Sequence, residues 1–172
     1  ENLKGVIFIP GEIAQEFPEC VNLFKNFFDI GSSTLRYTSL ESFLDYQKQL
    51  EMIQNGKELV DKTGNINSKI FKAPYGYTDQ NIYSLLTGSG IVADFSYNKQ
   101  YNYYQNGQFI RFDLKEITVN SEIDDKAKTT LLVNFDNSNS IESISEDIDL
   151  IKKHNVVFKS PSEIIGEQLT LG

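Results

Sequence analysis

The sequence predicts an α/β fold with a mainly parallel sheet covered by helices, on three observations. Short apolar runs of strand length alternate with longer stretches whose apolar residues recur at helical spacing. The apolar runs, such as Val6-Ile7-Phe8-Ile9 and Ile91-Val92-Ala93, have the character of buried strands, which parallel sheets require. Third, Ala73-Pro74-Tyr75-Gly76 directly follows one such run. Pro74 fixes φ and Gly76 frees it, so the backbone is stiff where a strand leaves the sheet. In α/β proteins that end of the sheet is where ligands bind.

The elements follow in order. Val6 to Ile9 reads as a strand, and Glu12 to Phe28 as a helix with Ile13, Phe17, Val21, Phe24 and Phe28 largely on one face. Phe28 to Ser33 leads into a second short strand. Thr38-Ser39-Leu40-Glu41 has the form of a capping start for a helix to about Lys62, with Phe43, Leu44, Leu50, Ile53 and Leu59 as its inner stripe and Gly64 ending it. Lys69 to Ala73 is the next strand, Asp79 to Leu86 the next helix, and Ile91 to Phe95 another strand. Asn98 to Gln108, rich in Asn, Gln and Tyr, reads as a loop. Phe109 to Leu114 and Thr130 to Phe135 read as strands either side of a charged segment around Glu116 to Lys128. Ser143 to Lys153 is helical, Val156 to Lys159 a last strand, and Pro161 to Leu169 a closing helix with proline in its first turn. Without an internal repeat or a linker, residues 1–172 read as one domain.

Composition narrows the function classes. Hydrophobic residues at 40% and charged residues at 23% are ordinary for a soluble globular chain. A net charge of -8 argues against nucleic acid as a partner, because phosphate binding needs a basic footprint. The single cysteine, Cys20, excludes an internal disulfide framework, and its helical setting predicts a buried structural thiol. No apolar run approaches membrane-spanning length, and no signal peptide is recognisable. Core sequence begins at Leu3, so the expectation is a domain excised from something longer.

Several blocks together resemble the NodB-type polysaccharide deacetylases, carbohydrate esterase family 4. Lys4 to Glu16, KGVIFIPGEIAQE, is similar to the family's second strand with its Gly and helix. Asp29 to Leu40, DIGSSTLRYTSL, resembles its His-x-x-x-His metal block, and Phe71 to Gly76 its Arg-Pro-Pro-Tyr-Gly block. Leu131 to Asp136 and Val156 to Ile164 resemble its closing strands. The resemblance implies a distorted (β/α) barrel, here short of its first strand; the two edges this would expose are expected to be covered by upstream chain, a homodimer partner or a rearranged N-terminus.

It also implies a chemistry. In that family two histidines and an aspartate hold a divalent metal, a second aspartate acts as base, and a late-strand histidine acts as acid. Under the resemblance the two histidine positions fall on Ser33 and Tyr37, whose oxygens are poor ligands for a zinc-type ion beside imidazole. The late-strand histidine falls on Phe135, next to Asp136, and the motif arginine on Lys72, which lacks the planar fork. The paired aspartates belong to the absent first strand. Tyr75 keeps the position whose backbone would help stabilise an oxyanion.

The lone histidine, His154, reads as a solvated helix-end residue. Asp124, Asp125, Glu142, Glu146, Asp147 and Asp149 read as solvated acidic faces. Asp136-Asn137-Ser138-Asn139-Ser140 is equally a helix cap or a sugar-binding loop. Tyr97, Tyr101, Tyr103 and Tyr104 offer flat faces for saccharides or for an interface.

The expectation is therefore a catalytically inactive deacetylase-like domain with a glycan-binding, cell-envelope or structural role, extracellular or at the cell surface. Tyr75, Asp94, Tyr101, Tyr103 and Asp136 are its candidate substrate contacts. No cofactor is expected. The alternative is a metal-dependent de-N-acetylase completed by upstream residues, which alone would call for a divalent ion.

Overall fold

Helices return the chain to the same end of the sheet three times, and that sets the strand directions. The computed structural model describes residues 3–43, 45–76, 78, 80–96, 102–111, 114–116, 130–133, 139–154 and 156–171. It divides into two units, Glu1–Phe112 with Phe158–Gly172, and Asp113–Val157. In the first, β1 (Val6–Ile9), β2 (Asp29–Ser32), β3 (Ile70–Phe71) and β4 (Ala93–Asp94) are parallel neighbours in that order. The crossovers are α1 (Gly11–Glu16) with α2 (Pro18–Phe24), then α3 (Tyr46–Gly64), then α4 (Gln80–Gly88). β5 (Asn102–Gln105) and β6 (Gln108–Arg111) extend the sheet antiparallel. In the second unit β7 (Leu114–Glu116) pairs in parallel with β8 (Thr130–Leu132), and α5 (Ile141–Ile151) follows. α6 (Pro161–Leu171) belongs to the first unit, where Ser162 N donates to Asp29 Oδ2 at 2.8 Å and Lys4 pairs with Glu163. No helix among the described residues is long and apolar enough to cross a membrane.

The mainly parallel α/β sheet is as expected, and the local departures have identifiable causes. The helix expected over Glu12 to Phe28 is two helices, broken at Phe17 with φ -125° and ψ 63°. Pro18 disfavours helical backbone in the residue before it. The break shifts the helical phase, so Ala14 is buried while Ile13, Phe17 and Cys20 are exposed. The buried thiol expected at Cys20 is thereby corrected. The capping start expected at Thr38 opens only a 3-10 turn over Leu40–Ser42; α3 begins later, where Asp45 accepts from Gln47 N at 2.9 Å. Its buried stripe is Ile53, Gly56, Val60 and Gly64, and Asn65 closes it in left-handed conformation. Leu44 lies outside the described residues.

The loop expected over Asn98 to Gln108 holds half of a β-hairpin. Asn106 and Gly107 turn it with φ 50° and 88°, the positive pair that a two-residue hairpin turn needs. Val156–Lys159, expected as a strand, is not one, and α5 starts at Ile141 because Ser140 caps it, its Oγ accepting from Ser143 N at 3.1 Å.

Two buried clusters carry the first unit. Ile9, Ala14, Val21, Ile30 and Val60 form one; Leu40, Ile53, Phe71, Ile82, Leu85, Leu86 and Ile91 are in the other. α3 contributes to both, with Val60 and Ile53, and each such side chain stabilises by ~1.5–3 kcal/mol. α3 also meets backbone directly. A Cβ on Gly56 would lie 2.5 Å from Thr34 C and 2.6 Å from Leu35 N, and one on Gly11 would lie 2.8 Å from Gly56 Cα. The closeness lets Leu35 N donate to Met52 O at 2.7 Å. Gly11 N and Glu12 N, orphan donors at the start of α1, reach Thr34 O at 3.1 Å and Leu35 O at 2.9 Å.

Gly56→Ala is expected to cost ~1–3 kcal/mol through this contact, although alanine is the better helix former by ~1 kcal/mol. Gly88→Ala, with nothing within 4 Å of its Cβ, is expected to be close to neutral. Urea unfolding of both variants checks the pair, and equal midpoints would dismiss the backbone contact.

Candidate functional site

The carboxyl ends of β2, β3 and β4 bring together most of the described site residues. After β2 the chain turns inward: Ser32, Ser33 and Thr34 are all buried. Ser33 Oγ donates to Lys72 O at 2.8 Å, and Lys72 N donates to Ser32 O at 3.1 Å, so the loops after β2 and β3 are tied to each other. Thr34 Oγ1 donates to Arg36 O. Beyond that bond the chain emerges, and Tyr37 is exposed.

The loop after β3 presents the second tyrosine. Tyr75 is 70% exposed and has φ 57° and ψ 5°, followed by Gly76 at φ 76°. A left-handed backbone costs a non-glycine residue about 1–2 kcal/mol. The Tyr75 and Tyr37 rings meet with centroids 5.1 Å apart at 55°, within the range of favourable tilted pairs. Gly76 N donates to Ala73 O at 3.0 Å, and Ala73 N donates to Ser96 Oγ at 2.8 Å.

Ser96 in turn rests on Asp94. Asp94 is 1% exposed at the end of β4; its Oδ1 accepts from Ser96 N at 2.9 Å and from Ser96 Oγ at 2.5 Å. Its Oδ2 accepts from Thr78 Oγ1 at 3.1 Å. Burial raises the carboxyl above its ordinary 3.8, while the bonds from Ser96 and Thr78 pull it down. Sequence reasoning missed Ser96 and Thr78. The available signal was Asp-x-Ser after an apolar run, the spacing at which an aspartate accepts from the backbone two residues on.

The expected contacts divide. Tyr75 and Tyr37 come together on the surface, and Lys72 lies between the loops with Nζ 5.8 Å from the Phe8 ring centroid. Asp94 is an internal acceptor rather than an open contact. Tyr103, expected to offer a flat face, is buried at 6% exposure on β5, because the hairpin turns it into the sheet; this corrects that expectation. Tyr97, Tyr101, Asp124, Asp125, Phe135 and Asp136 lie outside the described residues. His154 is half-buried just past α5, and Glu142, Glu146 and Asp149 are exposed on it.

At Ser33 and Tyr37, which the resemblance alone would assign to metal ligands, the donor set does not fit a zinc-type ion. Ser33 Oγ is committed to a backbone carbonyl, and the Tyr37 ring is packed against Tyr75. No cluster of three His, Cys, Asp or Glu that could hold a metal occurs among the described residues. A separate groove of about 540 Å³ lies along α3 and the end of α4, but Lys57 and Asp61 within it already pair with each other.

No family model matches the chain, and no curated protein does. Solved structures do match. A family 4 acetyl xylan esterase from Clostridium thermocellum, in complex with a cobalt ion, superposes with TM-score 0.64 at 13% identity, over 96% of this chain and 78% of that one. The fold is that of the family 4 carbohydrate esterases, the NodB type. A family 4 pseudoenzyme from Bacillus anthracis matches with TM-score 0.65 at 10% identity, over 94% of this chain and 55% of its own. A family 4 carbohydrate esterase from Streptomyces lividans, in complex with acetate, matches with TM-score 0.51 at 18% identity over 56% of this chain. The match spans half the length of that esterase, 50%.

The raised Asp94 value makes a testable pH dependence. Folding favours the protonated form, so this group's contribution is fully present below 3.8 and lost as pH rises through the folded value. Asp94→Asn has no proton to exchange. The stability of the wild-type protein relative to this variant is expected to fall as pH rises above 3.8 in urea titrations. A relative stability that rises with pH would reverse the assignment.

Proposed function

We propose that this chain is a polysaccharide-deacetylase-like domain that binds glycan without hydrolysing it, at the cell envelope or outside the cell. The observation that carries the reading is the exposed Tyr37–Tyr75 pair at the ends of β2 and β3, where this fold class binds ligands. A pyranose has a C–H face that packs on an aromatic ring, and hydroxyls around its rim that tyrosine OH groups can meet. The positions that would hold a catalytic metal under the resemblance are put to other uses: Ser33 ties two loops, and Tyr37 forms half of the aromatic face. The likeness to a family 4 pseudoenzyme is consistent with a non-hydrolytic role, and the likeness to metal-bound and acetate-bound esterases keeps hydrolysis as the alternative to be tested.

Calorimetric titration with N-acetylated chito-oligosaccharides and xylo-oligosaccharides tests the reading. Tyr37→Ala and Tyr75→Ala are each expected to weaken binding roughly three- to tenfold, the worth of one aromatic contact. The purified protein is expected to carry no stoichiometric zinc, cobalt or nickel and to release no acetate from acetylated oligosaccharides. Stoichiometric metal together with acetate release would establish the hydrolase instead. Absence of binding to every saccharide would leave a structural domain.

A further inference from the structure

We infer that Asp94 is a positioning residue for the tyrosine face: from beneath the sheet end it holds both sides of the turn that presents Tyr75 to Tyr37. One carboxylate oxygen takes both the N–H and the hydroxyl of Ser96, and that hydroxyl receives Ala73 N, at the entry to the turn. The other oxygen takes the hydroxyl of Thr78, at the exit. Between them lie residues 74–77, of which Tyr75 and Gly76 have positive φ. Tyr75 is mostly exposed, so burial contributes little to keeping its strained backbone in place. The bracing reaches it through Ala73 and Thr78, and both lead to one buried carboxylate. Ser96 is itself buried, so its hydroxyl has no water to replace either partner. The inference deepens the glycan-binding reading and rests on it for the purpose of the face, while the bracing itself is read from geometry alone.

The experiment separates the two. Ser96→Ala removes the entry tether and Thr78→Val the exit tether. Asp94→Asn keeps an oxygen for Ser96 and offers an amide N–H to the Thr78 hydroxyl, so it serves as the conservative rescue. Ser89→Ala, which removes only a bond to Leu85 O at the end of α4, is the control. The first readout is the nuclear Overhauser contact between the Tyr37 and Tyr75 rings in saccharide-free protein. The second is calorimetric affinity for an N-acetylated chito-oligosaccharide. Ser96→Ala and Thr78→Val are expected to lose or weaken the inter-ring contact and to bind roughly three- to tenfold more weakly, approaching Tyr75→Ala. Asp94→Asn and Ser89→Ala are expected to keep both. An unchanged inter-ring contact in folded Thr78→Val and Ser96→Ala would overturn the positioning role and leave Asp94 a structural carboxylate. If the wild-type protein binds no saccharide while the tether variants still lose the contact, the positioning stands and the glycan reading falls. Should Ser96→Ala fail to fold, Thr78→Val decides, since Thr78 is only half-buried.

Discussion

Backbone packed on backbone, between the loop after β2 and the middle of α3, is the constraint on which the other features of the site depend. Two facing glycines, Gly11 and Gly56, remove the side chains that would hold those segments apart. The approach then lets the loop satisfy the first donors of α1 and lets Leu35 N reach a carbonyl on α3. Three elements are fixed by bonds that involve no side chain at all. Tyr37, two residues past Leu35, takes its place on the surface from this junction, because its own exposed side chain has little burial to direct it.

The Tyr75 loop is supported by a different kind of interaction. Where the first loop is held by steric fit, the second is held by a buried carboxylate that burial alone would disfavour. Its bonds from Ser96 and Thr78 act against that cost. A hydrocarbon of similar size would be cheaper to bury, but it could not accept from both sides of a turn. Under the proposed reading, the position favours orientation of the turn over bare stability.

The sequence made the strand–helix rhythm legible because apolar runs and helical spacing are local signals, as β1, β2 and α4 illustrate. It misled where a tertiary contact outweighed the local one. Ile13 and Phe17 have the spacing of a buried stripe, yet the small residues Gly11 and Ala14 are what α1 packs inward. Pro18 announced the break in that helix, and Asn106-Gly107 announced the hairpin, but the helical period and the polar composition around them suggested otherwise. Tyr103 followed from the same error: a loop would leave its ring open, whereas on β5, paired on both sides, it is buried. In the site, the Pro74-Tyr75-Gly76 turn was legible from its residue types. The pairing of Tyr37 with Tyr75 was not, since 38 positions separate them and only the sheet brings them together.

The two supports are themselves joined, and this bears on how the site could change. Ser33 Oγ donates to Lys72 O and Lys72 N donates to Ser32 O, and the two bonds cross-link the loops. A larger side chain at Ser33 would have to break its bond to Lys72 O, two residues before Pro74, and so would disturb the approach to the Tyr75 turn. Tyr37 is likewise bound to its neighbour, because replacing it removes the ring against which Tyr75 packs. Ser33 and Tyr37 therefore act together with the turn. Under the proposed reading, an imidazole at either position would be gained at the expense of the aromatic face, so metal binding and the tyrosine surface are competing uses of the same strand ends.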